Sequence, residues 1–256
     1  MKNIRWTSYI GTAALVAAIP FSCAMARAQG SDDAHIQAEA HKALDSKRFA
    51  NVTVEAHGDN VVLGGSVANY ADKEAADNRM HHVHGVHGVD NEIQVGGARV
   101  EDAALREKLS KELATYRVGY GTNAFNNINL QVQNGVVTLS GTVYGPTDKS
   151  DALAVVSSTP GVRDVIDNLD VAPLSPMDDQ LRIRLARAIY GAPELQRYAM
   201  DPQNPIRITV INGNVTLNGV VDSKMDRDIA GIRANGVSGV FKVTNNLQVA
   251  GPSKGK

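Results

Sequence analysis

Apolar residues recur every four positions in three stretches of the chain: Ile36/Ala40/Leu44, Leu105/Leu109/Leu113 and Leu181/Leu185/Ile189. That recurrence stacks side chains along one face of a helix, so each stretch predicts an amphipathic helix. Asp33, Asp102 and Asp178 each stand three residues before the first stripe residue, where an aspartate N-cap would take up free amide hydrogens. After each stripe the period shortens to two, in Val52/Val54/Ala56, Ile128/Leu130/Val132 and Ile206/Ile208/Val210. A period of two predicts a strand with one buried face. Gly58-Asp59, Asn134-Gly135 and Asn212-Gly213 supply hairpin turns, so a second strand folds back and ends at Val67, Val143 or Val221. A second helix is expected near 70–80, 146–156 and 223–234, and a last strand at 89–95, 165–171 and 243–249.

The three passages are one unit written three times. With Gly65, Gly141 and Gly219 as anchors, Gly85, Gly161 and Gly239 follow at the same interval, each before a valine. Further on, Val89, Val165 and Val243 align, as do Ile93, Leu169 and Leu247, then Val95, Val171 and Val249. Upstream, Leu63, Leu139 and Leu217 share one offset. Self-similarity of this kind decides architecture before any single element does. The expected fold is α+β: three tandem αββαβ domains, each a small three-stranded mixed sheet with two helices. The core units fall at 33–95, 102–171 and 178–249, within domains at 31–97, 100–173 and 176–251. The last two strands of each unit are joined through a helix, and a right-handed crossover makes them parallel. The spacing leaves the central strand open.

The first residues read as an export signal. Lys2 and Arg5 precede an apolar run from Tyr9 to Ile19, too short to span a bilayer, and small residues follow at Ala24, Ala26 and Ala28. Cleavage is expected after Ala28, with Ala24-Met25-Ala26 as the second choice, giving a 1–28 signal peptide and a periplasmic protein without a transmembrane segment in the mature chain. A lipidated Cys23 is the rival reading, and Pro20-Phe21-Ser22 is a poor lipobox for it. Cys23 is the single cysteine, so the chain cannot form an internal disulfide.

Composition narrows the function classes. The chain has 256 residues, is 43% hydrophobic and carries a net charge of −1, which is globular and argues against nucleic acid, since phosphate binding needs a basic face. Charge is uneven along the array. Five basic and ten acidic residues leave repeat one at −5, six and eight leave repeat two at −2, and nine and seven leave repeat three at +2. Repeat three is therefore the candidate surface for anionic headgroups, through Arg184 and Arg187 on one helical face and Arg227 and Arg233 on the second helix. The segments between first helix and first strand lengthen in repeats two and three and hold Tyr116, Tyr120, Phe125, Tyr190, Tyr198 and Met200, beside Arg117 and Arg197. Exposed, they would suit a membrane interface, with Tyr198 inserting, or a protein partner; folded back, they would cap a small core.

All seven histidines lie in repeat one. His81, His82, His84 and His87 sit close enough in sequence to ligate a metal ion if a loop bent around it, and without metal they form a solvated polar loop. Histidine titrates near pH 6.5, so mild acid would also cancel much of this repeat's negative charge. Repeats two and three lack both His and Cys, no phosphate loop or H-E-x-x-H occurs, and neither an enzyme activity nor a cofactor is expected.

The stretch from Asn134 to Val143 (NGVVTLSGTV), followed by Gly161-Val162 and by Val165, Asn168, Leu169 and Val171, resembles the BON domain; 212–221 with Gly239-Val240 and Asn246-Leu247 is similar. Repeat one departs at Gly64-Gly65 and at Glu92. The resemblance implies αββαβ domains in a non-enzymatic envelope protein linked to osmotic or envelope stress, with phospholipid as a proposed contact. A chaperone-like or structural protein that binds envelope proteins by adding strands or occupying grooves is the second expectation.

Overall fold

The computed structural model describes residues 22–116 and 123–251. Residues 1–21, which hold most of the expected export signal, lie outside the described residues, as do Arg117 and Tyr120. Repeat one consists of α1 (Ser22–Ala43), β1 (Val52–His57), β2 (Asn60–Val67), α2 (Tyr70–Met80), β3 (Gly88–Asn91) and β4 (Gln94–Val95). Repeat two consists of α3 (Asp102–Thr115), β5 (Asn127–Gln133), β6 (Val136–Val143), α4 (Pro146–Ser158) and β7 (Asp164–Val171). Repeat three has α5 (Pro176–Tyr190), α6 (Gln196–Met200), β8 (Arg207–Ile211), β9 (Asn214–Asn218), β10 (Val220–Val221), α7 (Lys224–Asn235), β11 (Lys242–Asn245) and β12 (Gln248–Val249).

In each repeat the second strand is central. β2, β6 and β9 pair antiparallel with β1, β5 and β8 and parallel with β3, β7 and β11. The expected parallel crossover is therefore present three times. Repeat two keeps its third strand whole, whereas repeats one and three break theirs. The three helical stripes are buried, Leu113 only in part, and each repeat closes its own apolar core.

The repeated aspartates do not cap helices. Ser175 caps α5, and Glu101 occupies the N-cap position of α3 without a side-chain bond. Asp102 instead reaches across to the hairpin turn and accepts from the amides of Asn134 (2.7 Å) and Gly135 (3.0 Å). Asp178 does the same at Asn212 and Gly213, and Asp33 takes the Gly58 amide at 2.8 Å. Those turns carry positive φ at Asn134/Gly135 and Asn212/Gly213, the conformation that leaves two amides facing outward for one carboxylate. The aspartate thus ties first helix to hairpin, a contact over more than twenty residues in each repeat.

A second tie recurs in the third strand. Asn91 and Asn245 donate from their side-chain amides to the carbonyls of Lys73 and Arg227 in the second helix. Their side-chain oxygens accept from Ile93 and Leu247. Asp167 replaces this pair in repeat two by accepting from the Leu169 amide and pairing with Lys149 at 2.8 Å.

Neighbouring repeats touch. Tyr70 packs against the core of repeat two, where burial, then the charge of Asp164, pushes its phenol from 10.0 to about 12. Ser157 donates to Glu74 across the same junction at 3.0 Å. Between repeats two and three, Phe125 packs on the third core, Arg207 donates to the Asn126 carbonyl at 2.9 Å, and buried Arg182 stacks over the Tyr144 ring.

Candidate functional site

One pole of repeat three combines exposed apolar and basic side chains. The Asp178 contact brings the start of α5 to the 212–213 turn. The loop after α7 returns to that turn, where the Phe241 amide donates to the Gly213 carbonyl at 2.8 Å. Phe241 is consequently held at the tip by its backbone while its ring stands 84% exposed, and Met177 at the start of α5 is 82% exposed. Lys242 follows Phe241 and is exposed. Arg184 leans onto the same loop, its guanidinium 3.4 Å from the Ser238 carbonyl, and exposed Arg233 lies in the last turn of α7. A large ring with cations around it, held on short backbone ties, suits a boundary between water and an apolar phase.

The expected site residues divide accordingly. Arg184 and Arg233 belong to this end of the repeat. Arg187 is exposed one turn further along α5, and Arg227 is exposed in the first half of α7, toward the opposite end.

Tyr198 is corrected: it is 5% exposed and part of the third core. Its hydroxyl donates to Asp226 (2.9 Å), accepts the Asp222 amide (2.7 Å) and lies 3.1 Å from Arg197. Burial raises its phenol above the ordinary range. The extra segment of repeat three folds its aromatics inward, with Tyr190 donating to the Ile206 carbonyl at 2.6 Å, because a long segment over a small sheet gains more by covering the core than by standing in water. Among the described residues the exposed aromatic is Phe241, which falls at a strand start rather than in an extension. Its apolar character beside Gly239-Val240 and Lys242 was the available signal.

The histidines of repeat one are exposed and dispersed. His81 faces Asp77 at 3.3 Å, His82 contacts the Asn78 carbonyl at 2.6 Å, and His87 lies 3.8 Å from Asp59. His84 borders one hollow with Asp33, His35 and Asp59 and a second beside His82. Among the described residues, no three His, Cys, Asp or Glu side chains are grouped to hold a metal ion. No helix among them is long and apolar enough to cross a membrane.

The BON domain model matches residues 32–97, 101–173 and 183–251. Osmotically-inducible protein Y of Escherichia coli (strain K12) is similar at 26% identity over 166 residues, 62% of this chain and 78% of that protein. Among solved structures, the C-terminal domain of CdsD, a structural protein of the type III secretion system of Chlamydia trachomatis, is 16% identical. The match covers 86% of this chain and 96% of that one, with a TM-score of 0.23.

Proposed function

The chain belongs to the BON domain family, and on that premise we propose that it is an exported, non-enzymatic protein of the bacterial envelope that binds anionic phospholipid surfaces through the pole of repeat three and supports the envelope under osmotic stress. The basic start, short apolar run and A-x-A of the N-terminal residues support export to the periplasm. Similarity to an osmotically-inducible protein supports the stress link. The observation that carries the membrane reading is Phe241 standing exposed beside Arg184 and Lys242. Each cation near an anionic surface contributes about 1 kcal/mol, falling off within a Debye length, so three or four give salt-sensitive capture. Phe241 and Met177 then add shallow apolar burial.

Flotation of the protein with neutral and anionic vesicles, at low and high salt, tests this. Binding is expected on anionic vesicles only and should weaken with salt. Arg184→Glu/Arg187→Glu should abolish it, and Phe241→Ala should reduce it about tenfold. Absence of binding at low salt would refute the membrane reading.

A further inference from the structure

The first strand of every repeat is a sheet edge, and among the described residues repeat two leaves that edge open. A two-residue turn closes the β5–β6 hairpin with Gln133 opposite Val136. The closing pair exchanges both bonds, so alternate residues of β5 bond inward and Ile128, Leu130 and Val132 turn their amides and carbonyls outward. By the same geometry Val52, Val54 and Ala56 point outward in repeat one, and Ile206, Ile208 and Val210 in repeat three. Those edges are covered in part by side chains. Gln37 donates to the Val54 carbonyl, Arg182 to Val210 at 2.6 Å and Tyr190 to Ile206.

Gln37, Arg106 and Arg182 each stand four residues after the repeated aspartate. Gln37 and Arg182 reach over their strands. Arg106 is exposed and, among the described residues, neither its guanidinium nor the outward groups of Ile128, Leu130 and Val132 has a hydrogen-bond partner.

The open edge lies in a cleft. A groove of about 700 Å³ runs between β5 and the end of the third sheet, with Asn129, Gln131, Asn218, Asn246 and Gln248 along its walls. Continuous with it, a pocket of about 240 Å³ reaches Leu113, Ala114, Ile128 and Leu130; Ile206 and Ile208, which align with Ile128 and Leu130, are fully buried. That volume is several times the ~30 Å³ share of one water, so it admits a side chain, apolar over Leu113 and Ile128 and polar against Asn123, Asn126 and Asn204. The groove's charged lining is Arg106 and Arg207, without a carboxylate. β5 itself carries no charge and no proline, the features that ordinarily block an edge.

We infer that β5 is a strand-addition site for an extended peptide segment of another protein, with alternating apolar side chains and acidic residues at its ends. Its backbone completes the ladder at Ile128, Leu130 and Val132. Its apolar side chains enter the pocket over Leu113, and the opposite ones meet the amide wall of repeat three. Its carboxylates meet Arg106 and Arg207. In repeats one and three side chains of their own helices take the carbonyls of Val54, Ile206 and Val210, which interrupts the run of three outward residues that repeat two keeps.

The test is binding of the labelled peptide Asp-Val-Thr-Val-Thr-Val-Thr-Asp to the full chain by fluorescence anisotropy. A peptide with proline in place of the central valine is the control. Leu130→Pro removes an outward amide while sparing the intrachain ladder. Asn129→Glu/Gln131→Glu, at exposed positions, places repelling charge on the edge and secures the test if the proline variant fails to fold. Expected results are binding of the first peptide alone, weakened at least tenfold by either variant, with vesicle flotation unchanged. Equal binding by wild type and variants would overturn the inference. So would dimerisation of the wild type, lost in the double variant, without peptide binding; the edge would then belong to a second copy.

Discussion

Repeats one and three share strand pairing and register yet use the same aligned position differently. Asp72 and Asp226 both lie in the first turn of their second helix, each beneath a side-chain N-cap, Asn69 or Ser223. Asp72 meets one guanidinium, that of Arg48, at 3.4 Å. Asp226 is 4% exposed and held by Tyr198 and Arg197. The difference comes from the longer segment before β8, which carries both partners over the sheet. A repeat can therefore change its polar interior without changing its fold, provided that each buried group it adds brings a partner.

The anchoring glycines give the widest separation between the repeats. A Cβ at Gly65, where φ is +87°, would lie 2.0 Å from the Asn51 carbonyl oxygen, against 2.8 Å from that of Pro205 at Gly219. Asn51 cannot withdraw, since its carbonyl accepts the Ser66 amide at 3.0 Å. Gly65→Ala should cost roughly 3 kcal/mol or more in denaturant unfolding, and Gly219→Ala less. Gly97→Ala serves as the control, because its φ is also positive but no atom lies within 4 Å.

The aspartate pair separates the two repeats by a smaller margin. Asp226→Ala leaves the Tyr198 hydroxyl and the Asp222 amide in a disrupted network and should cost about 3 kcal/mol. Asp72→Ala should cost about 1 kcal/mol. Equal losses in chemical denaturation would break the comparison.

The smallest effect lies at the junction of repeats one and two. The Tyr70 phenol is raised to about 12 in the folded chain, by burial first and the Asp164 charge second, against 10.0 when unfolded. The folded state therefore holds its proton more tightly. This contribution is intact below pH 10 and is lost as pH rises toward 12. Tyr70→Phe should flatten that alkaline slope in thermal melts, while repeat three keeps its own response.

Much of the fold was legible because its signals are local. Helical stripes, strand alternation and Asn-Gly turns depend on residues a few positions apart, and threefold repetition averaged out accidents in any one copy. The helices at 70–80 and 146–156 and the buried faces of Leu181, Leu185 and Ile189 follow from that alone. The candidate site was half legible. Net charge pointed to repeat three, whereas the exposure of Phe241 and the burial of Tyr198 turned on which aromatic the core could reach.

Sequence by itself determined the repeat, the element order and the parallel crossover, since periodicity and chain connectivity leave few alternatives. Tertiary structure alone decided that the second strand is central, that Asp33, Asp102 and Asp178 tie hairpins rather than cap helices, and that among the described residues Arg106 takes no edge carbonyl where Gln37 and Arg182 each take one. Each of those outcomes depends on groups brought together across some 17 to 35 residues, a distance at which spacing carries no geometry and packing makes the choice.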